Sequence, residues 1–142
     1  MNNIIKKEFV EFTQYHKNVY NIYFHILCGF IFMAFLFLSS KNYSTLGLIV
    51  YSLLLLITLH NLFIVFAIFI ILFIMIWFLK KCKLSCVNAF LLFLVFYFLP
   101  DLSHYLTNEP SMLSITNITP LSVFTNIFYL LPFSIMCLSN FK

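Results

Sequence analysis

Long apolar runs separated by short polar breaks dominate the chain. One run covers residues 19–39, and another covers 46–79 with a single polar pair, His60-Asn61, inside it. A helix of the second run's length would extend about 51 Å, whereas the hydrocarbon core of a bilayer is about 30 Å thick. The pattern therefore predicts three spans, at 19–39, 46–60 and 62–79, with the last two joined by a turn at the polar pair.

Two more apolar runs follow in the second half of the chain. A fourth span is predicted at 84–99, where Pro100-Asp101 is expected to end the helix. Residues 101–119 are polar and mixed, which predicts a loop. A fifth span is predicted at 120–138, where an internal amide and an internal proline predict a kink; these are Asn126 and Pro132.

The first 17 residues show an amphipathic pattern instead. Ile5, Phe9 and Phe12 recur at helical spacing, and lysines and glutamates lie around them. This pattern is typical of a helix that lies in the membrane interface. The predicted fold is therefore all-α. It is a single domain over residues 1–142, a polytopic integral membrane bundle of about five spans with an interfacial helix at 1–17.

Composition supports a lipid environment and excludes a nucleic-acid partner. Apolar residues make up 63% of the chain and charged residues 8%, against about 25% charged residues in soluble domains. In lipid, backbone polar groups must be satisfied internally, so continuous apolar runs become helices. All eight basic residues are lysines, so the chain lacks the arginine-rich basic face of nucleic-acid-binding proteins.

All four histidines and all four acidic residues fall on one side of the predicted topology. Five of the eight lysines fall on the other side, and the positive-inside rule then places the histidine side away from the cytosol. These five are Lys41, Lys80, Lys81, Lys83 and Lys142. The predicted topology thus gathers the metal-capable side chains at one membrane surface.

The strongest local pattern lies at the start of the first span. It has the form Y-H-x4-N-x3-H-x3-G, with His16, Asn21, His25 and Gly29 as its last four fixed residues. Asn21, His25 and Gly29 are four residues apart and share one helix face, with Gly29 leaving room beside it. His16 is about half a turn out of phase with His25, so both can bind one metal ion only if the helix breaks at 17–19.

A second polar element, with His104 and Glu109, follows the fourth span. Imidazole and carboxylate are the ligands of non-haem iron(II) sites that keep positions open for oxygen and substrate. Asn21 is expected to orient one of these ligands without binding the metal. His60, at the turn between the second and third spans, is a further candidate ligand on the same side.

The segment around His16 and His25 resembles the opening motif of the Mpo1-like family, formerly domain of unknown function 962. The resemblance implies a small integral membrane protein of the endoplasmic reticulum or a related endomembrane. It also implies an iron(II)-dependent dioxygenase that uses molecular oxygen to shorten long-chain 2-hydroxy fatty acids by one carbon, a step in the breakdown of sphingoid bases. The bilayer and a long-chain lipid substrate are then the expected partners.

The resemblance also assigns roles to individual residues. His16, His25 and His104 would hold iron(II); His60 lies outside the resemblance and is a fourth candidate ligand from the predicted topology alone. Asn21 and Glu109 are the candidate catalytic residues. The family usually has a glutamine and a glycine before its later histidine, and Pro100 and Ser103 stand near those positions here.

Two non-enzymatic interpretations remain open on the sequence alone. In the first, the chain is a scaffold or assembly factor and the histidines are amphipathic anchors at the membrane surface. In the second, it is a channel or transporter subunit, but apart from His25 and Asn126 the predicted spans offer few polar groups to line a path. Bound metal would distinguish the enzyme from both.

Overall fold

The structure is a computed structural model that describes residues 3–111 and 120–140. The regular structure in this part of the chain is helical throughout, which confirms the expected fold class. Its six α-helices, joined between α2 and α3 by a short 3-10 helix at Lys41–Tyr43, are α1 (Asn3–Tyr15), α2 (Val19–Ser39), α3 (Ser44–Leu59), α4 (Leu62–Lys80), α5 (Cys86–Thr107) and α6 (Pro120–Ser139). Residues 112–119 of the expected loop lie outside the described residues.

Four helices in the described part are long and apolar enough to cross a membrane. They correspond to Val19–Ser39, Lys41–Leu59, Leu62–Lys80 and Cys86–Thr107, whereas Val123–Ser139 in α6 is a shorter apolar helix. Their outer faces carry many exposed phenylalanine, leucine and isoleucine side chains, as a lipid-facing surface requires. The structure therefore supports four of the roughly five expected spans.

The polar residues at the breaks decide where the helices begin and end. His60 ends α3 in the left-handed conformation, with φ 53°, and Asn61 caps α4 by accepting a hydrogen bond from Ile64 N at 3.1 Å. The predicted turn at His60-Asn61 is therefore confirmed. Two other helices begin with a side-chain cap of the same kind, from Asn18 on α2 and from Ser85 on α5.

The helix α5 does not end at Pro100-Asp101, as the sequence suggested, but continues to Thr107. Proline removes one backbone donor and interrupts a helix in water. Membrane helices tolerate it because neighbouring groups satisfy the freed backbone. One turn beyond the proline, the hydroxyl oxygen of Ser103 lies 2.7 Å from the carbonyl oxygen of Pro100. The continued helix is what places Ser103 and His104 beside α2.

The helix α2 forms the centre of the bundle and packs against α3, α4, α5 and α6. Ring pairs show that α2 and α5 run antiparallel, because His25 meets His104 while Phe32, further along α2, meets Tyr97 and Phe93. Antiparallel packing brings the start of α2 and the end of α5 to the same end of the bundle. The amphipathic α1 packs there too, through contacts of Phe9 and Phe12 with Phe133 of α6.

Candidate metal centre

The two N-terminal histidines meet because the chain bends between them. The helix α1 ends at Tyr15 and α2 begins at Val19, so His16 lies in the linker. Its ring stacks on Phe12, with centroids 3.8 Å apart, and lies edge-on to His25, with centroids 4.5 Å apart. The helix break that their nine-residue spacing demanded is therefore confirmed.

His104 completes a cluster of three imidazoles. Its ring centroid lies 4.7 Å from that of His16 and 4.9 Å from that of His25. One potential ligand atom from each of the three side chains lies within 4.8 Å of the others. All three side chains are buried, with 2–4% of their surface exposed. The structure thus unites two stretches of chain that are about 80 residues apart in sequence.

Backbone carbonyls orient the two histidines of the N-terminal motif. The Nδ1 atom of His16 lies 2.8 Å from the carbonyl oxygen of Phe12, and Nδ1 of His25 lies 2.9 Å from that of Asn21. A carbonyl can only accept, so we assign the ring proton to Nδ1 in both. Each Nε2 then keeps the lone pair that binds a metal.

The Nε2 atom of His16 is buried and has no hydrogen-bond partner. Buried polar atoms in folded proteins nearly always have a partner, so such an atom calls for an explanation. Burial lowers the pKa of His16 from 6.5 to about 3, so its imidazole is neutral at neutral pH. A neutral imidazole with an unused lone pair is the state in which histidine binds a metal.

Asn21 is fully buried and links His104 to Glu109. Its Nδ2 lies 3.2 Å from Nδ1 of His104 and donates to Oε2 of Glu109 at 2.6 Å. Its Oδ1 accepts a hydrogen bond from Ser103, whose hydroxyl also lies 3.4 Å from Nδ1 of His25. Asn21 therefore contacts the candidate ligand His104 through its amide NH2 group, which can only donate a hydrogen bond.

Glu109 is not part of the three-histidine group, contrary to the sequence hypothesis that its carboxylate could be a ligand. Its Oε1 accepts from the backbone N–H groups of Lys17 at 2.6 Å and Asn18 at 2.7 Å, and Oε2 accepts from Asn21. The left-handed Asn108 turns the chain at the end of α5 and directs Glu109 back towards α2. Glu109 therefore holds the bend at the start of α2.

His60 does not join the cluster either, which corrects its proposed role as a fourth ligand. It is an exposed residue that ends α3, and its backbone N–H donates to the carbonyl of Leu56 at 3.1 Å. The metal-capable group contains only His16, His25 and His104 among the histidines. A turn between two apolar helices requires polar residues, and this requirement accounts for His60.

A small cavity of about 30 Å³ opens beside the three imidazoles. Phe12, Pro100 and Leu130 form its apolar walls. It has room for roughly one or two water molecules. It can therefore hold an ion with a small ligand, but not an acyl chain.

Three polar residues that the sequence analysis did not assign to the site also line this cavity: Tyr97, Asp101 and Asn126. The first two precede His104 by seven and three residues, which places all three on one face of α5. That spacing was a usable signal, but it was hidden by the expectation that the helix ends at Pro100. Asn126 was visible only as an amide in an apolar run, and its neighbours depended on how α6 packs.

The donor set fits a metal ion. Three imidazoles with a neighbouring cavity match sites that hold a metal through three protein ligands and leave a position open. Donor atoms within 4.8 Å of one another need only a small inward shift to lie about 2.1 Å from a common ion. Imidazole ligands suit iron, zinc, copper and nickel alike, so the donor set alone does not select one of them.

Comparison with known proteins identifies no relative. No protein-family model, curated protein or solved structure matches the chain.

Proposed function

We propose that the chain is a membrane-embedded, iron(II)-dependent dioxygenase that acts on the head of a long-chain 2-hydroxy fatty acid. The proposal of a metal site rests on one observation: His16, His25 and His104 are all buried and meet from two stretches of chain that are about 80 residues apart. The choice of iron and of the substrate class rests on the resemblance of the N-terminal motif to the Mpo1-like family.

In this proposal the residues of the site have separate roles. His16, His25 and His104 would hold the iron, and Asn21 would fix the ring of His104. Bound iron(II) supplies open positions at which oxygen and a 2-hydroxy acid can meet for oxidative cleavage between C1 and C2. Glu109 would act through position, because its carboxylate accepts hydrogen bonds from the bend at the start of α2 and from Asn21.

The substrate can enter only head first. The cavity of about 30 Å³ excludes an acyl chain, so the chain must remain outside, against the lipid-facing surface of the bundle. Tyr97, Asp101 and Asn126 line the cavity with hydrogen-bonding groups. A 2-hydroxy acid offers a hydroxyl that can donate to Asp101, whereas an unsubstituted acid does not.

Metal content gives the direct test. After anaerobic loading with iron(II), we expect about one iron per purified chain, and separate loading with zinc shows whether the site prefers iron. His16→Ala, His25→Ala and His104→Ala should each lose the metal, because each removes one of three ligands. His60→Asn is the matched control: it removes an exposed imidazole, and asparagine tolerates the left-handed backbone at this position.

The same preparations then separate binding from catalysis. Wild-type protein with iron and oxygen should convert a long-chain 2-hydroxy acid to the acid one carbon shorter, with C1 released as carbon dioxide and one water formed, and His60→Asn should do so equally. Circular dichroism and size-exclusion chromatography show whether each variant is folded. Failure of the wild type to retain metal would refute the site, whereas metal binding without product would refute the proposed reaction alone.

A further inference from the structure

The end of the bundle opposite the histidines carries a second, unassigned cavity. It has a volume of about 450 Å³. Three of its lining residues are polar and three are aliphatic: Lys41, Asn42, Lys80, Leu38, Leu79 and Leu84. We call it the lysine cavity. Its walls come from the end of α2, the turn that follows, the end of α4 and the segment before α5.

Positive charge around the lysine cavity is uncompensated. Lys81 follows Lys80 directly and Lys83 comes two residues later, so with Lys41 four ammonium groups belong to this end of the bundle. The closest polar contact of Lys80 is the hydroxyl of Thr45 at 3.5 Å, and Lys81 lies over the ring of Trp77 at 3.7 Å. In the part of the chain that the structure describes, no carboxylate lies within 4.0 Å of these four groups. An anionic ligand would supply the missing charge.

Two of the four lysines lie where the chain turns after a helix. Lys41 follows the end of α2 and Lys83 follows the end of α4, and both adopt left-handed conformations, with φ of 52° and 51°. Helices commonly end in this conformation, so these turns bring both lysines to the same end of the bundle.

An apolar cleft shares one lining residue, Lys80, with the lysine cavity. This cleft, of about 110 Å³, lies between α3 and α4 and is lined by Leu48, Phe73, Ile76 and Trp77, with Thr45 and Lys80 as its polar residues. A charged cavity beside an apolar cleft matches the two parts of a lipid, an anionic head and an acyl chain.

We propose that this end of the bundle binds a membrane lipid with a phosphate head, placing the phosphate in the lysine cavity and part of one acyl chain in the cleft. Several lysines and a cavity of this volume suit a phosphate, which lysine binds as a point charge. A fatty-acid carboxylate would need less space and fewer cations. Anionic lipids are also the usual partners of lysines at a membrane surface. The proposal is independent of the metal centre.

The single tryptophan of the chain, Trp77, lines the cleft and reports on its occupant. Its fluorescence should be quenched by lipids with brominated chains. In vesicles of phosphatidylcholine at physiological salt, brominated phosphatidic acid should bind at Trp77 about thirtyfold more tightly than brominated phosphatidylcholine, as expected for two lysines at the surface. The double variant Lys41→Gln/Lys80→Gln should lose this preference.

A matched variant distinguishes the cavity from overall charge. Lys6→Gln/Lys7→Gln removes two exposed charges from α1 and should keep the full preference. Equal loss in both double variants, or no loss in Lys41→Gln/Lys80→Gln, would overturn the proposal. Iron content should stay unchanged in both, which separates this result from the metal centre.

Competition identifies the source of the phosphate. Inorganic phosphate and glycerol 3-phosphate lack an acyl chain, so at millimolar concentration they should leave the quenching by phosphatidic acid unchanged. Full displacement by either would overturn the role of the cleft. Brominated oleate tests the head group: binding as tight as that of phosphatidic acid would overturn the phosphate assignment.

Discussion

The carboxylate of Glu109 accepts three hydrogen bonds from the start of α2, from Lys17 N, Asn18 N and Asn21 Nδ2. The N–H group of the N-cap residue Asn18 is one that a helix N-terminus leaves unsatisfied, and a negative charge is favourable there. The contacts bridge about 90 residues of sequence. One side chain thus fixes the bend that allows His16 and His25 to face each other.

Glutamine at position 109 should weaken this bend. Its amide has one acceptor oxygen and one NH2 donor, so a donor must face either the backbone N–H groups or the Asn21 amide. An unsatisfied buried donor costs about 1–3 kcal/mol. We expect Glu109→Gln to lower the thermal unfolding temperature in detergent and to weaken metal binding. Glu8→Gln, an equal charge change on α1, is the control, and identical behaviour of the two variants would contradict the assigned role.

At the scale of helices, close packing of α2 on α6 depends on Gly29. A Cβ atom at this position would lie 3.2 Å from Cβ and 3.5 Å from Cα of Leu131, which is part of the α6 backbone. The room that the sequence motif was expected to leave beside His25 is therefore filled by a neighbouring helix. Gly47 differs, because a Cβ there would meet only the ring of Phe37, at 3.2 Å.

These two glycines give a matched pair of substitutions. Gly29→Ala should destabilise the fold by up to about 2 kcal/mol, because overpacking of about 1–3 kcal/mol exceeds the helix-propensity gain of about 1 kcal/mol. Gly47→Ala should be neutral or stabilising by up to about 1 kcal/mol, since the added Cβ meets one side-chain ring and no backbone of another helix. Chemical unfolding of both variants in detergent measures the difference. A stabilised Gly29→Ala protein would show that α6 is not held against α2.

The sequence predicted the helices and the bend at His16 because both follow from local pattern: apolar run length, capping residues and the phase of a helix. It did not predict the continuation of α5 past Pro100, since rules for proline in water do not hold for a helix whose backbone is satisfied by neighbours. The contacts of Asn21 with Ser103, His104 and Glu109 could not be predicted, because they depend on how α2 and α5 pack.

At the scale of the whole molecule, the two ends of the bundle carry different polar side chains, histidines at one end and lysines at the other. The helix α2 has 21 residues and rises about 31 Å, which matches the hydrocarbon thickness of about 30 Å. The three histidines lie at its beginning, and the lysine cavity lies at its end. In a bilayer the proposed metal site and the proposed lipid site would therefore lie towards opposite aqueous phases.

Chemical labelling can test this arrangement. Three candidate spans, α2, α3 and α4, separate α1 from the exposed free thiol of Cys82, so the two must lie on opposite sides of the membrane. In a Cys86→Ser background, a membrane-impermeant maleimide should reach Cys82 from one face of sealed vesicles. In a Cys82→Ser/Cys86→Ser background, it should reach the exposed position of Lys7→Cys only from the other face, while Cys28 and Cys137 stay buried and unlabelled.

The excess of lysines near Cys82 predicts that its face is cytosolic. Labelling of both positions from one face would mean that one of these three helices does not cross, and the histidines and the lysine cavity would then share a side.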